Sequence, residues 1–320
     1  MDEEANSSVR NRPALRVADL ATAKPIDLED LWQHEAQLWR ERLSWDISEN
    51  IERLQRAVEH GDLSGKVLQA GTRTLGCALY LSVGRLGLLS NFLISTECTA
   101  GAAEILLEET VCALLQAGSA RIESSFISID LPWLYPLFER AGFRTYWRES
   151  LRYELRPTQE PASPRANIRL ETWQRSHLRE ATSIMLAAYE GSVDAEMNEQ
   201  CRTQGGCELE LDDILNQGIC GSPILAASPM ALHRGQGVGF ILLTKIGPRH
   251  AHVAQVAVLP AYQYHGVGRL LLGHSLAKLA DCGFTSVSLF VSRLNRHALR
   301  MYHIMGFKPV LSFPVFTWQG

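Results

Sequence analysis

The last third of the sequence is almost free of acidic side chains. Between Ile214 and Gly320 the single carboxylate is Asp281, against nine lysine and arginine residues. A region with so few competing carboxylates favours the binding of a small anion. The sequence also lacks any run of basic residues. Residues 1–156 hold 17 basic and 23 acidic residues (net −6), and residues 157–320 hold 14 and 12 (net +2). Neither half is basic enough to indicate nucleic acid as a partner.

Cysteine pairs with the spacing of a metal or redox site are missing as well. The seven cysteines form no C-x-x-C pair and their number is odd, which predicts free thiols in a reducing cytoplasm and no metal. No apolar stretch approaches the roughly 18 residues that a membrane span needs. The N-terminal segment is acidic and resembles no signal peptide. We therefore expect a cytoplasmic protein with no membrane association.

A proline-rich segment divides the chain into two halves of similar size. Residues 157–166 contain three prolines and few apolar residues, a composition typical of an exposed linker. At 320 residues and 46% hydrophobic content, the chain is long enough for two packed domains. The predicted domains are residues 1–156 and 167–320, with 157–166 as the linker.

The two halves repeat one order of elements: strand, glycine-containing turn, helix, strand, helix and Gly-Phe. Gly101 corresponds to Gly266 and Gly142 to Gly306, at offsets of 165 and 164. The pattern predicts helices at Ala102–Gln116, Trp133–Arg140, Val267–Asp281 and Asn295–Met305. Strands are expected at Ala14–Val17, Val67–Ala70, Thr74–Ser82, Leu86–Ser95, Arg121–Ser128, Asn167–Glu171, Ile224–His233, Val238–Lys245, Val253–Leu259 and Thr285–Ser292. Each half therefore reads as an α/β (α+β) domain with a mixed, mostly antiparallel sheet flanked by helices.

The turn of the second half has the features of a phosphate site. Gln263-Tyr264-His265-Gly266-Val267-Gly268 follows the strand Val253–Leu259 and opens a helix. Backbone N–H groups at such a helix N-terminus converge on one point and bind phosphate. The glycines leave the backbone bare for close approach, and Arg269 adds positive charge. The predicted ligand is a small polyanion.

This turn and a signature downstream of it resemble the GNAT superfamily of N-acetyltransferases. The family's [Gln/Arg]-x-x-Gly-x-[Gly/Ala] turn appears at Gln263–Gly268. Its Asn-x-x-Ala-x-x-x-Tyr-x-x-x-Gly-Phe signature appears as Asn295, Ala298, Tyr302, Gly306 and Phe307. The resemblance covers residues 167–320 and implies two tandem GNAT-like domains. It further implies acetyl-CoA as co-substrate and direct attack of a primary amine on the thioester in the C-terminal domain.

The resemblance also assigns roles to individual residues. Tyr302 is expected to be the general acid that protonates the departing thiolate. The strand Val253–Leu259 is expected to diverge from its neighbour, so that free amides, above all those of Val256 and Val258, meet the pantetheine arm and the thioester oxygen. The cofactor-binding residues implied are Val256, Ala257, Val258, Gln263, Tyr264, His265, Gly266, Val267, Gly268, Arg269, Asn295, Ala298 and Tyr302.

The sequence does not decide which residue is the base that deprotonates the attacking amine. Family members often place a carboxylate on this strand, but residues 214–280 contain no Asp or Glu. His252 is one candidate, because imidazole titrates near neutrality. Glu190, Asp194 and Glu196 are the rival candidates. Residues 188–221 hold eight acidic residues, which favours a cationic small molecule or a peptide amine as acceptor.

The first half departs from the family at the decisive positions. Cys98 replaces the Gln/Arg of the turn, and Glu97 and Glu104 oppose a pyrophosphate. Leu131, Leu134 and Phe138 stand where the Asn, Ala and Tyr are expected, and phenylalanine has no proton to donate. We interpret residues 1–156 as a degenerate copy that binds acetyl-CoA weakly or not at all and serves packing or substrate shaping.

Two alternatives remain beside the enzyme. A non-catalytic acyl-CoA-binding sensor or scaffold would explain the missing strand carboxylate. A nucleotide-binding domain is disfavoured, since the sequence contains no G-x-x-x-x-G-K-[ST] motif. A monomer and a homodimer are equally compatible with the sequence.

Overall fold

The computed structural model describes residues 14–124, 131–156 and 167–320. The chain forms two compact units. Unit 1 takes the residues up to Glu35, Glu52–Arg144 and Trp318–Gly320, and unit 2 takes Ala36–Ile51 and Thr145–Thr317. The predicted linker, residues 157–166, lies outside the described residues, so the predicted domain division stays a prediction.

The described residues form strands and helices in the alternating order of an α/β protein. The strands are β1 (Leu15–Asp19), β2 (Ser64–Ala70), β3 (Arg73–Val83), β4 (Leu86–Ile94), β5 (Arg121–Ser124), β6 (Arg144–Glu154), β7 (Ile168–Thr172), β8 (Ser222–Pro223), β9 (Pro229–His233), β10 (Gln236–Gly247), β11 (His250–Val258), β12 (Ser286–Ser292) and β13 (Lys308–Gln319). The helices are α1 (Glu29–Leu43), α2 (Ser48–His60), α3 (Ala100–Gln116), α4 (Tyr135–Arg140), α5 (Leu178–Tyr189), α6 (Val193–Met197), α7 (Gln204–Asp212), α8 (Val267–Asp281) and α9 (Arg296–Ile304).

Unit 1 contains a mostly antiparallel sheet in the order β1-β2-β3-β4-β5, of which only the β4–β5 pair is parallel. α3 covers it with the buried side chains Leu106, Leu107 and Leu114. Phe138 of α4 is fully buried and packs edge-on against the rings of Phe92 and Phe143. The position that corresponds to Tyr302 is therefore part of a closed aromatic core.

In unit 2 the strands lie in the order β13-β6-β12-β11-β10-β9-β7, with β8 paired to β10. The β11–β12 pair is parallel, whereas β12–β6, β11–β10, β10–β9 and β9–β7 are antiparallel. One face packs on α8 and α9 through Leu271, Leu276 and Tyr302. The other packs on α5 and α7 through Met185, Leu211 and Phe240. The mixed, mostly antiparallel sheet flanked by helices confirms the predicted fold class.

Three elements of the sheets differ from the sequence-based expectation. The predicted strand Ile224–His233 is wrong in its first part, because Leu225–Ala227 form a 3-10 turn and β9 begins only at Pro229. The long strands β6 and β13 were not predicted. β6 comes from the first half of the sequence, yet all seven residues Arg148–Glu154 pair with Ser286–Ser292 of β12 inside unit 2.

All seven cysteines are free thiols. No helix within the described ranges is long and apolar enough to cross a bilayer. In the same ranges, no three His, Cys, Asp or Glu side chains are grouped so that they could hold a metal ion.

Candidate acetyl-transfer site

The two parallel strands at the centre of unit 2 separate half-way along their length. β11 pairs with β12 from His250, opposite Ser286, to Val253, opposite Leu289. Beyond that point β11 continues to Val258 and β12 to Ser292 without further pairing. A bulge in the ladder between β10 and β11 lies at the same level, between Leu242 and Leu243. Beyond Val253, a gap separates β11 from β12. The peptide groups of β11 that face this gap need hydrogen-bond partners other than β12.

One of these amides is already engaged by a side chain that the sequence did not single out. The Val256 N–H donates to Oε1 of Gln255 at 3.0 Å, and the hydroxyl of Tyr189 donates to the same oxygen at 2.7 Å. Gln255 is only 8% exposed, and burial raises the pKa of Tyr189 well above its usual value. The side-chain oxygen of Gln255 therefore already accepts from the Val256 N–H, which the resemblance implies would contact acetyl-CoA. No spacing pattern marks Gln255 in the sequence.

The predicted phosphate-binding turn follows directly from β11. Gln263 anchors it, since its Nε2 donates to the carbonyl of Val258 at 3.0 Å. Tyr264 adopts a φ of 61° and is 75% exposed, and its ring lies 4.2 Å from that of His297 on α9. His265 is exposed, and its Nδ1 lies 2.7 Å from the Gln263 carbonyl.

Gly266 ends the turn and begins helix α8 without any side-chain cap. Its φ is 78°, a left-handed conformation that favours glycine. The N–H groups of the first helical turn, Val267 to Arg269, have no acceptor within the helix and lie at the positive end of its dipole. A Cβ on Gly268 would make only ordinary contacts, at 3.7 Å to Met301 and 3.8 Å to Val258. Packing alone does not require this second glycine, and the open amides form a ready anion site.

The corresponding turn of unit 1 is closed by its own side chains. The Thr99 hydroxyl accepts from the Ala102 N–H and caps α3, where Gly266 leaves α8 open. Cys98 is buried, which raises the pKa of its thiol to about 11. Glu104 forms an ion pair with Arg140 at 3.0 Å, so a carboxylate remains beside the helix start. The turn of unit 1 thus lacks the uncapped helix N-terminus that the turn of unit 2 presents.

Helix α9 brings the downstream signature to the gap. Asn295 caps the helix, because its Oδ1 accepts from the Ala298 N–H at 3.2 Å. Tyr302 is 5% exposed, and its ring packs against Phe307 at 5.7 Å. Burial, with a further contribution from the nearby Asp194 carboxylate, raises the pKa of Tyr302. Its phenol therefore keeps its proton at neutral pH.

Asp194 is the acidic candidate that lies beside this tyrosine. It stands on α6, and the Asn295 side chain hydrogen-bonds its carboxylate. Burial raises the pKa of Asp194, while Arg148 and the Asn295 hydrogen bond act in the opposite direction. The Asn295 side chain thus caps α9 through its oxygen and hydrogen-bonds Asp194 through its amide nitrogen. The two catalytic candidates, Asp194 and Tyr302, come from distant parts of the sequence.

The other acidic candidates line a cavity of about 470 Å³ beside the end of α5. Glu190 is exposed at the C-terminal end of that helix. Glu196 is also on the cavity wall and accepts a hydrogen bond from the Tyr146 hydroxyl of β6 at 3.1 Å. Ser192 and Arg202 complete the polar part of the lining. Neither glutamate is among the groups whose charge acts on Tyr302.

His252, the imidazole candidate for the base, lies inside an aromatic cluster. It is 4% exposed, with its ring 4.8 Å from both Trp45 and Phe290, and its Nδ1 lies 2.9 Å from the Ser288 hydroxyl. Burial and the Arg148 charge lower the pKa of His252 to about 3. So weak a base cannot hold a proton at neutral pH, and this environment argues for a role in packing.

Sequence comparison assigns a family to the segment that carries this geometry. Residues 196–307 match the model described as Acetyltransferase (GNAT) family. The chain therefore contains a segment that is similar to GNAT acetyltransferases. The matched segment contains the turn, the gap between β11 and β12, and Tyr302. Members of the family transfer acetyl groups from acetyl-CoA. No curated protein has a significantly similar sequence.

Solved structures with the GNAT fold match almost the whole chain. A GCN5-related N-acetyltransferase from Sphaerobacter thermophilus has 16% identity and a TM-score of 0.67, over 97% of this chain and 96% of its own. A tandem GNAT protein from the clavulanic acid biosynthesis pathway has 13% identity and a TM-score of 0.61, over 96% and 98%. A GCN5-related glucosamine N-acetyltransferase region of a fungal multi-domain enzyme has 14% identity and a TM-score of 0.62, over 96% of this chain and 38% of its own. These likenesses establish the fold.

Proposed function

We propose that the chain is an acetyl-CoA-dependent N-acetyltransferase, that its C-terminal GNAT domain is catalytic, and that its acceptor is a primary amine. The observation that carries the proposal is the combination of an uncapped helix N-terminus at Gly266 with the end of β11–β12 pairing at Val253. The first accepts the pyrophosphate of acetyl-CoA, and the second admits its pantetheine arm. The similarity to GNAT acetyltransferases and the fold support the same chemistry.

The reaction follows from the groups around the gap. The amine nitrogen attacks the thioester carbon, and the resulting oxyanion is stabilised by β11 amides such as that of Val258. Gln255 must release the Val256 N–H before that amide can take part. Collapse of the intermediate forms the amide bond and breaks the carbon–sulfur bond.

The proton transfers balance when the acceptor enters as its ammonium form, which loses two protons. Asp194 accepts the first, before attack, directly or through one water, because its raised pKa makes it a stronger base than an ordinary carboxylate. The second, which the nitrogen releases on attack, replaces the proton that Tyr302 gives up. Tyr302 donates a proton to the departing thiolate, whose conjugate acid has a pKa near 8.5. His252 has no role in this scheme, because its burial and low pKa do not suit it to accept a proton.

The proposal is tested by thiol release from acetyl-CoA with a panel of primary amines, comparing the wild type with Tyr302→Phe. Removing a general acid costs roughly 10²- to 10⁴-fold in turnover. The fold should tolerate the change, since Phe138 fills the corresponding position of unit 1. Acetyl-CoA binding, measured by calorimetry, should remain. An acyl-CoA sensor would bind acetyl-CoA equally well but show no turnover that depends on Tyr302.

A further inference from the structure

An arginine of β6 lies beside the acceptor side of the proposed site. Arg148 is two residues from Tyr146, and alternate residues of a strand share one face. The Tyr146 hydroxyl reaches Glu196 of α6, so this face of β6 looks toward α6. The Arg148 charge lowers the pKa values of Asp194 and Glu210, which burial raises. Its guanidinium therefore lies near both carboxyl groups.

The guanidinium of Arg148 has few partners of its own. Its Nη2 donates to the Phe290 carbonyl at the long distance of 3.5 Å, and its Nε is buried without a hydrogen-bond partner. Among the described residues, no carboxylate lies within ion-pair distance of it. A guanidinium carries five donors in a planar fork that matches a carboxylate. Leaving a buried donor unsatisfied is unfavourable, and a ligand anion would remove that cost.

We propose that Arg148 binds the carboxylate of the acceptor, which makes the acceptor of the acetyl group an amino carboxylate. This inference rests on the proposed function. The arrangement is complementary to a zwitterion: Asp194 and Tyr302 face the amine, and Arg148 faces the acid. Helix α6, which carries Asp194, also places Ala195 and Glu196 on the wall of a cavity of about 470 Å³, which has room for the rest of a small amino acid. β6 thus gives the first half of the sequence a part in substrate recognition.

The test uses the full chain, acetyl-CoA and matched acceptors, with thiol release as the readout. Each amino acid is assayed beside its carboxamide and its decarboxylated amine, which keep the amine and the side chain. We expect the acid to have the highest kcat/KM of each set, by roughly 10- to 100-fold, as for loss of a charge-assisted hydrogen bond. Arg148→Gln should remove that preference by raising the KM of the acid alone, and Arg148→Lys should restore part of it.

Arg152→Gln is the matched control, because Arg152 lies on the same face of β6 and the substitution removes the same charge. Arg152 pairs in register with Ser288, and its charge acts on His250, not on Asp194. It should leave the preference intact. Equal loss for acids and carboxamides in Arg148→Gln would overturn the inference, since Arg148 would then only position Asp194. Turnover of carboxylate-free amines alone would overturn it too, while leaving the proposed function in place. No turnover of any amine would instead refute the proposed function.

Discussion

Replacing Asp194 by asparagine separates its proposed role as a base from its role in packing. Asparagine keeps the shape and the oxygen that accepts from the Asn295 side chain, but it cannot accept a proton. Without a base, only acceptor molecules that are already neutral can react. A lysine-like amine with a pKa near 10 is neutral in about one part in 10³ at pH 7. We therefore expect Asp194→Asn to lose roughly 10²- to 10³-fold in kcat/KM at pH 7.

The pH profile makes this prediction specific. Wild-type kcat/KM should rise with pH as Asp194 ionises, through a pKa that burial holds above its ordinary value of 3.8. Asp194→Asn should instead gain about tenfold per pH unit up to the pKa of the amine, so that the two profiles converge at high pH. Initial rates of thiol release between pH 5 and pH 10 measure both. Parallel profiles with a constant offset would refute the assignment of Asp194 as the base.

A stability measurement provides a check that is independent of turnover. The folded-state pKa of Asp194 is raised, so the folded protein holds this proton more tightly than the unfolded chain does. Protonation of Asp194 therefore stabilises the folded wild type at low pH. This stabilisation should be lost as the pH rises from 3.8 through the folded-state pKa. Asp194→Asn should melt no lower than the wild type at pH 7. Asp213→Asn is the control: burial raises its pKa too, but it does not act on Tyr302 and should keep full turnover.

Three further predictions concern the turn and the aromatic cluster. Gly266→Ala should destabilise the fold by about 1 kcal/mol, because φ is 78° there, and should weaken acetyl-CoA binding in calorimetry; Gly101→Ala in α3, where a Cβ has no neighbour within 4 Å, should do neither. His252→Gln should retain the pH dependence of the wild type, and loss of that dependence would reinstate His252 as the base. Trp45→Ala, which removes a ring packed on His252 and Phe290, should cost about 3–5 kcal/mol in urea unfolding; a cost below 1 kcal/mol would contradict its burial.

The repeated glycine turns and helices could be predicted because their signals are local. α8 has the predicted bounds, Val267–Asp281, since Gly266 at its start and Gly283 just beyond its end adopt positive φ. The signature on α9 likewise depends on helical spacing alone. The candidate residues of the turn and of α9 therefore lie together in unit 2, as the motif predicts. Their cofactor contacts stay predictions.

Asp194 and Gln255 can be recognised as site residues only from long-range contacts, which no sequence pattern indicates. Asp194 is one of eight acidic residues in its segment, and only the position of Asn295 distinguishes it from the others. Gln255 is an ordinary polar residue within a strand until the Tyr189 hydroxyl and the Val256 amide meet its oxygen. The position of His252 on the strand makes it a candidate base, but burial among aromatic rings lowers its pKa too far for that role. The spacing of residues in a sequence gives no information about such an environment.

The position of β6 changes how the degenerate first half should be understood. Its residues Arg148–Glu154 pair in full register with β12, so unit 2 includes a strand from the first half of the sequence. Residues 167–320 alone would lack that strand and leave an edge of β12 unpaired, a surface prone to aggregation. They would also lack Arg148 and Tyr146. The first half therefore need not bind acetyl-CoA to be required, because it completes both the sheet and the acceptor wall of the proposed active site.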